Sequence, residues 1–198
     1  MKIYTYPKSR SLRVLWTLEE LGISYDTVKV DLLEQQPNVV SPHPRGKVPF
    51  MVDGDISIEE TLAICLYLCE KYKATTLYSS EIEKRASIHA GLSFALTDLE
   101  SPIWNLLKQL VFIPQAQRSL EIVNYFKTES SKVIRQLPYD PRNMWVTGDN
   151  FTLADIFMSH TLLWAQLCGL ELNADINDYI HRATSRPAYL RAQTRNNQ

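Results

Sequence analysis

Two serines precede the first predicted helix, in the segment Pro7-Lys8-Ser9-Arg10-Ser11. Either Ser9 or Ser11 suits the N-cap position, where a serine hydroxyl accepts a hydrogen bond from an otherwise unpaired backbone N–H. The same place suits chemistry, because free N–H groups and the positive end of a helix stabilise an anion such as a thiolate. A hydroxyl that donates to that thiolate would lower the pKa of the thiol further. The segment by itself favours capping and leaves thiolate activation as the alternative.

A second segment, Gly46-Lys47-Val48-Pro49-Phe50, begins a predicted strand with a proline. Roughly 5–6% of X–Pro bonds in folded proteins are cis, so the position alone favours a trans proline on an edge strand. A cis Val48–Pro49 bond would turn the chain sharply and point the N–H and C=O of Val48 outward. Those two groups could then pair with the backbone of a peptide-like ligand.

The third segment is Ser57-Ile58-Glu59-Glu60-Thr61. Ser57 and Glu60 have the spacing of a capping box, which predicts the start of a helix. In a functional interpretation, the hydroxyl and N–H of Thr61 hold a carboxylate and the Glu60 carboxylate holds an ammonium group. An amino-acid head group carries both of those charges.

The three cysteines, Cys65, Cys69 and Cys168, predict no chemistry of their own. Cys65 and Cys69 are four residues apart on one helix face, which rarely gives disulfide geometry, so we expect small core residues. An odd number of cysteines argues against a disulfide framework and is typical of a reducing compartment. The sequence has no CxxC motif and no zinc-ligand spacing, so no metal is expected.

Short strands and helices alternate in residues 1–78 and place all three polar segments at element ends. The proline-rich stretch Gln36–Lys47 predicts a loop, and Asp53-Gly54-Asp55 predicts a hairpin turn. The predicted strands are Lys2–Tyr6, Tyr25–Val30, Val48–Val52 and Ile56–Ile58, and the predicted helices are Leu12–Leu21, which Gly22 ends, and Ile58–Tyr72.

Strand signals stop after the short polar linker Tyr78–Glu81. The order therefore predicts an α/β domain (βαβ, then ββα) over residues 1–78, followed by an all-helical domain over residues 86–198. Thr152 and Asp155 form a second capping box, so Asp155→Ala is expected to cost about 0.5–2 kcal/mol of stability. The predicted helices of this part are Ile82–Phe112, Gln117–Gln136, Thr152–Gly169 and Asp178–Ser185.

Composition is typical of a globular protein, with 45% apolar and 22% charged residues among 198. The chain has 21 basic and 22 acidic side chains, and neither domain carries a strong excess of one sign, so a nucleic-acid partner is not expected. No apolar stretch approaches the roughly 18 residues of a membrane span, and the N-terminus lacks the apolar run of a signal peptide. We therefore expect a cytoplasmic protein without a membrane partner.

Taken together and in order, the motifs resemble those of a bacterial glutathione transferase across essentially the whole chain. The resemblance implies a thioredoxin-like N-terminal domain with a cis-proline, an all-helical C-terminal domain and a homodimer. The motifs that carry it are Tyr4-x-x-Pro7-x-Ser9-Arg10-Ser11-x-Arg13-Val14, Leu18-Glu19-Glu20-Leu21, Pro44-x-Gly46-Lys47-Val48-Pro49, Glu60-Thr61-x-Ala63-Ile64, Gly148-Asp149-x-Phe151-Thr152-Leu153-Ala154-Asp155 and Arg186-Pro187-Ala188.

The resemblance assigns the binding of glutathione residue by residue. Val48, before Pro49, pairs its backbone with the cysteinyl part, and Lys47 is the candidate for the glycine carboxylate. Glu60 and Thr61 match the pair that holds the γ-glutamyl head group, where the family usually has Glu-Ser. Threonine keeps the hydroxyl and the N–H and adds a methyl group.

In serine-type members of the family, a serine just before the first helix activates the glutathione thiol. Ser9 matches that serine if this chain has one residue fewer than usual before Arg13-Val14, and Ser11 is the second choice. Tyr4 and Tyr6 are the alternatives in tyrosine-type members. Arg10 either binds the thiolate or peptide or faces water. No cysteine lies in this loop, which argues against the cysteine-type members.

For the helical domain, the resemblance implies a hydrophobic surface for the second substrate, with Trp104 and Leu107 as the candidates. A core role and a dimer contact remain open for the same helix. The expected activity is conjugation of glutathione, as cosubstrate and without a metal, to a small apolar electrophile, as in detoxification. There are two alternatives: a glutathione-dependent peroxidase or disulfide reductase, and a non-catalytic binding or regulatory protein.

Overall fold

The computed structural model describes residues 1–197 and divides the chain into two compact units. The first comprises Met1–Tyr78 together with the C-terminal segment that begins at Thr184, and the second comprises Ser79–Ala183. A four-stranded sheet with helices precedes an all-helical part, as predicted. Within residues 1–197, no helix is both long enough and apolar enough to cross a membrane.

The sheet of the first unit has the order β2-β1-β3-β4. β1 and β2 are parallel, while β1–β3 and β3–β4 are antiparallel. Ile3 and Met51 are register partners at the centre and are fully buried. The strands are β1 (Lys2–Thr5), β2 (Asp26–Lys29), β3 (Phe50–Asp53) and β4 (Ile56–Glu59).

Helix α1 (Ser11–Leu21) follows β1 and is buried on all sides from Ser11 to Leu18, so more of it is enclosed than its apolar spacing alone indicates. It ends at Gly22, whose φ of 66° is the left-handed conformation that favours glycine at this position. Both the helix and its end agree with the sequence prediction.

Helix α2 (Thr61–Lys71) begins later than the predicted Ile58–Tyr72. Ser57 lies in β4, where it pairs with Val52, so the interpretation of Ser57 and Glu60 as a capping box is wrong. As part of β4, Ser57 lies in a backbone hydrogen-bond ladder with β3, whereas the first backbone N–H groups of a helix have no partner within the helix.

The second unit is built around α6, which is buried along most of its length. The predicted helix Ile82–Phe112 is interrupted by a π-helical turn at Ala95–Leu99, a wide turn that periodicity does not reveal. The helices are α3 (Ile82–Phe94), α4 (Glu100–Val111), α5 (Leu120–Ile134), α6 (Leu153–Leu167) and α7 (Ala174–Thr184).

Helix α8 (Pro187–Asn197), which the sequence analysis counted with the helical domain, packs against α1 in the first unit. Arg186 holds the Glu20 carboxylate through Nε at 2.6 Å and Nη2 at 2.7 Å. Arg191 Nε contacts Glu19 at 2.7 Å. These side chains join two helices that are far apart in the sequence.

Candidate functional site

The sheet register brings the three polar segments to one end of the first unit. Tyr4 of β1 pairs with Phe50 of β3, and Phe50 pairs with Glu59 of β4. Because β3 runs antiparallel to both neighbours, the loop after β1, the turn before β3 and the chain after β4 leave the sheet at the same edge. A ligand at this edge would meet all three segments.

Ser9 lies in the turn between β1 and α1. Its Oγ is 2.6 Å from the Tyr6 carbonyl oxygen and 2.9 Å from Ser11 Oγ, and it accepts the Ser11 N–H over 3.1 Å. The N-cap residue of α1 is Arg10, which makes no side-chain capping bond, so the prediction that Ser9 or Ser11 occupies the N-cap is wrong. Ser9, one residue before the N-cap, nevertheless accepts the Ser11 N–H at the start of α1.

Burial separates the two serines. Ser11 is fully buried, with 0% of its surface exposed, whereas Ser9 and Arg10 are half-buried. Ser9 therefore keeps some exposed surface that a ligand could contact, whereas Ser11 keeps none. Tyr4 and Tyr6 are half-buried, and the Tyr4 ring packs edge-on against Phe50, with the centroids 6.2 Å apart.

The Val48–Pro49 peptide bond is cis, which confirms the cis-proline that the resemblance implied. Val48 is half-buried, Pro49 is buried and Lys47 is exposed. Among residues 1–197, no backbone group is hydrogen-bonded to the N–H or C=O of Val48. Both groups are thus free to pair with an extended ligand at this edge.

Glu60 is the N-cap residue of α2 and has φ 70° and ψ 125°, in the left-handed half of backbone space. Such a conformation costs on the order of 1–3 kcal/mol for a residue with a side chain and is found preferentially at functional sites. The Glu60 carboxylate is exposed and lies 3.3 Å from the guanidinium of Arg45. Thr61 is the first residue of α2 and is buried.

Arg45 is a residue of this edge that the motifs did not indicate. Its Nη2 lies between two carboxylates, 3.3 Å from Glu60 and 3.6 Å from Glu59. A basic residue directly before Gly46 and Lys47 was the available signal, but only the folded loop shows which acidic residues it meets.

The cysteines are all free and buried. Burial raises the pKa of Cys65 and Cys69 to about 12 and that of Cys168 to about 11. Cys65 and Cys69 are core residues, as predicted, and Cys168 is buried as well. Among the described residues, no group of three or more His, Cys, Asp or Glu side chains could hold a metal ion.

The two candidates for a hydrophobic substrate lie on α4 in the second unit. Leu107 is buried in the core, whereas Trp104 is half-buried. The Trp104 ring stacks on Trp164 at 5.4 Å, and the exposed Phe112 packs edge-on against it at 6.1 Å. Trp104 and Phe112 therefore offer an accessible aromatic surface, and Leu107 does not.

Comparisons with known proteins give a consistent result. The family model "Glutathione S-transferase, N-terminal domain" matches residues 3–76. Glutathione S-transferase F10 of Arabidopsis thaliana is 30% identical over 174 residues, which cover 79% of this chain and 76% of that protein. Maleylacetoacetate isomerase of Pseudomonas aeruginosa is 28% identical, and the match covers 99% of this chain and 97% of that protein.

Among solved structures, a sphingomonad glutathione S-transferase complexed with glutathione superposes with a TM-score of 0.84. It is 24% identical, and the match covers 100% of this chain and 99% of that one. At this identity the likeness shows the fold, a thioredoxin-like domain followed by a helical domain.

Proposed function

We propose a function from the premise that this chain belongs to the glutathione S-transferase family: it binds glutathione on its first unit and presents the sulfur as a thiolate nucleophile. The observation that carries this proposal is the sheet register, which places the segments of Ser9, Val48 and Glu60 at one edge. These segments offer a hydroxyl, an available backbone amide and a carboxylate, which match the thiol, the peptide and the ammonium group of one tripeptide.

The Val48 backbone would pair with the cysteinyl residue, beside cis-Pro49. Glu60 would bind the γ-glutamyl ammonium group, and the Thr61 hydroxyl and N–H, at the start of α2, would bind its carboxylate. Lys47 is exposed and would reach the glycine carboxylate. The strained backbone of Glu60 supports this assignment, since it orients the residue at the edge that the ligand would occupy.

Ser9 would donate its hydroxyl proton to the glutathione sulfur, with help from Arg10 and the positive end of α1. In the free protein this proton faces the Tyr6 carbonyl, so binding exchanges one acceptor for another. A free thiol has a pKa of about 8.5, and lowering it by two units would ionise most of the thiol at pH 7. The thiolate is the reactive form, so this shift creates the nucleophile.

The second unit would supply the apolar surface for a small electrophile, with Trp104 as its candidate residue. The protein would act as a homodimeric detoxification enzyme in the cytoplasm, with glutathione as cosubstrate.

The ultraviolet absorbance of the thiolate tests the proposal directly. Glutathione is titrated into wild type and Ser9→Ala near pH 6.5, about two units below the pKa of the free thiol. Wild type should give a saturable thiolate signal that Ser9→Ala loses while it still binds glutathione by calorimetry. Absence of both signal and binding in wild type at millimolar glutathione would overturn the proposal and turn attention to protein partners.

A second candidate is glutathione-dependent cis–trans isomerisation, which the nearly full-length similarity to a maleylacetoacetate isomerase favours. The same thiolate would add to one carbon of a cis double bond conjugated to a carbonyl group. Rotation about the resulting single bond and elimination of the thiolate would give the trans product without consuming glutathione. Glutathione recovered in full after turnover of a maleylacetoacetate-type substrate would support isomerisation, whereas its stoichiometric loss to an aryl halide would support conjugation.

A further inference from the structure

The loop of residues 41–47, which precedes the cis-proline, is held in shape by hydrogen bonds within itself. The Ser41 hydroxyl donates to the Lys47 carbonyl oxygen over 2.6 Å and accepts the His43 N–H over 3.2 Å. The Gly46 N–H donates to the His43 carbonyl oxygen over 2.8 Å. Ser41 and His43 are buried, although most of their neighbours in the loop are exposed.

His43 anchors this loop to β4. The His43 side chain is only 2% exposed, and its Nδ1 accepts the Arg45 N–H over 2.9 Å. An imidazole whose Nδ1 accepts a hydrogen bond carries its proton on Nε2. Nε2 lies 2.6 Å from Oε2 of Glu59, the last residue of β4. The ring also packs edge-on against Phe50, with the centroids 6.1 Å apart.

The hydrogen bond from the Ser41 hydroxyl ends on the Lys47 carbonyl oxygen. This oxygen belongs to the peptide group between Lys47 and Val48, directly before the cis Val48–Pro49 bond. The Lys47 C=O and the Val48 N–H belong to one planar peptide group, so a hydrogen bond that fixes the carbonyl also fixes the direction of the N–H. In the proposed function, this N–H pairs with the cysteinyl part of glutathione. Orienting it before the ligand arrives lowers the entropic cost of binding.

We infer that Ser41 is a positioning residue for glutathione, and that His43 is the anchor that keeps the Ser41 loop against β4. Neither residue touches the reacting sulfur. Ser41 therefore affects how tightly glutathione binds and leaves the ionisation of its thiol to Ser9. The inference rests on the proposed function and deepens it.

The test measures two quantities that this inference separates, the Kd of glutathione by calorimetry and the pKa of the bound thiol by ultraviolet absorbance. Ser41→Ala removes the hydroxyl, and Ser41→Thr retains it. Thr161→Val is the matched control, since Thr161 is a buried hydroxyl that donates to the Phe157 carbonyl over 2.9 Å in the other unit. Thermal melting establishes that each variant is folded.

Ser41→Ala should weaken glutathione binding by roughly 3- to 10-fold, the usual worth of one neutral hydrogen bond. The pKa of the bound thiol should stay at the wild-type value, and both Ser41→Thr and Thr161→Val should retain the wild-type Kd. If Ser41→Ala does not fold, Ser41→Cys keeps the side-chain size with a weaker donor and should shift the Kd in the same direction.

The inference fails, and the proposed function stands, if folded Ser41→Ala keeps the wild-type Kd or loses only as much affinity as Thr161→Val. A raised pKa of the bound thiol would overturn it as well, because Ser41 would then act on the sulfur. A wild type that binds no glutathione would overturn the proposed function, and the inference with it.

Discussion

At the scale of single residues, one proton decides how Ser9 acts. A serine hydroxyl has one proton to donate and two lone pairs to accept with. The Ser9 oxygen accepts the Ser11 N–H, and its own proton has two acceptors within the protein, the Tyr6 carbonyl oxygen at 2.6 Å and the buried Ser11 Oγ at 2.9 Å, before a ligand takes it. The backbone N–H of Ser11, which the Ser9 oxygen accepts, makes the Ser9 hydroxyl a stronger donor, so Ser11 supports Ser9 through its backbone.

Ser11→Ala keeps this backbone N–H and removes only an acceptor of the Ser9 proton, so it should change the pKa of the bound glutathione thiol by less than about one unit, since one neutral hydrogen bond contributes about 1 kcal/mol. Ser9→Ala, by contrast, should abolish the shift. Ultraviolet titration of the bound thiol against pH measures both effects. A larger effect of Ser11→Ala than of Ser9→Ala would assign the activating role to Ser11.

The cysteines should be inert in the native protein. A thiol with a pKa of about 12, as for Cys65 and Cys69, is ionised to only about one part in ten thousand at pH 8, against roughly a quarter for a free thiol. The rate of reaction with a disulfide reagent should rise as pH rises, because deprotonation supplies the thiolate. All three thiols should react at once in guanidinium chloride, the internal control, and a rapidly reacting thiol in the native protein would contradict this prediction.

At the scale of elements, two ion pairs, one from Arg186 directly before α8 and one from Arg191 within it, join the C-terminal segment to α1 and should differ in their contribution to stability. The Glu20 side chain is 9% exposed and also accepts the Trp16 Nε1–H over 3.0 Å, so Arg186→Ala strands a nearly buried carboxylate. We expect a loss of about 2–3 kcal/mol. The arginines differ more than the carboxylates: Arg191 is 55% exposed against 32% for Arg186, while Glu19 is 13% exposed, so Arg191→Ala should cost less, about 1 kcal/mol.

Urea unfolding of the two variants against wild type measures the difference. Added salt should reduce the contribution of Arg191 and leave that of Arg186 nearly unchanged, because solvent ions screen exposed charges more than buried ones. Equal losses in the two variants would show that burial of Glu20 does not set the strength of its pair.

The capping box at the start of α6 is predicted to matter more than its sequence indicates. The fully buried Asp155 carboxylate accepts the Thr152 N–H at 2.8 Å, the Val146 N–H at 2.9 Å and the Tyr179 hydroxyl at 3.0 Å. Asp155→Ala would leave these buried donors without an acceptor. We expect a loss of about 3 kcal/mol or more, above the 0.5–2 kcal/mol of a simple cap.

Asp155→Asn is the control, since it retains one acceptor oxygen and nearly the same volume. Its loss of stability should be the smaller of the two in chemical denaturation. A loss below about 1 kcal/mol in Asp155→Ala would mean that water replaces the carboxylate in the folded protein.

At the scale of the whole molecule, exposed apolar side chains remain on both units. Leu33 and Val40 in the first unit, and Ile82 and Leu120 in the second, are each more than half exposed. Burial of such side chains is the general driving force for association. The homodimer that the resemblance implied stays a prediction, and single exposed apolar side chains of this kind are also common on monomers.

Light scattering coupled to size exclusion should therefore give about 46 kDa, twice the 22.8 kDa mass of the chain. The mass should fall toward that of one chain on dilution if the association is weak. A mass of one chain at all concentrations would contradict the prediction and show that the apolar side chains stay solvated.

The sequence by itself determined what depends on near neighbours in the chain. The alternation of apolar residues and the terminal Gly22 predicted α1, and Thr152 with Asp155 predicted the start of α6. Residue types also marked the three segments that now lie at one edge of the sheet. These features follow from local hydrogen bonds and periodicity, which a short stretch of sequence fully contains.

The tertiary structure decided what depends on partners distant in the chain. Pairing with β3 made Ser57 part of a strand instead of a helix cap, and burial distinguished Ser11 from Ser9. The contact of Arg186 with Glu20 spans 166 positions and ties the last helix to the first. Local sequence cannot specify such outcomes, because a residue's burial and hydrogen-bond partners are set by the segments that fold against it.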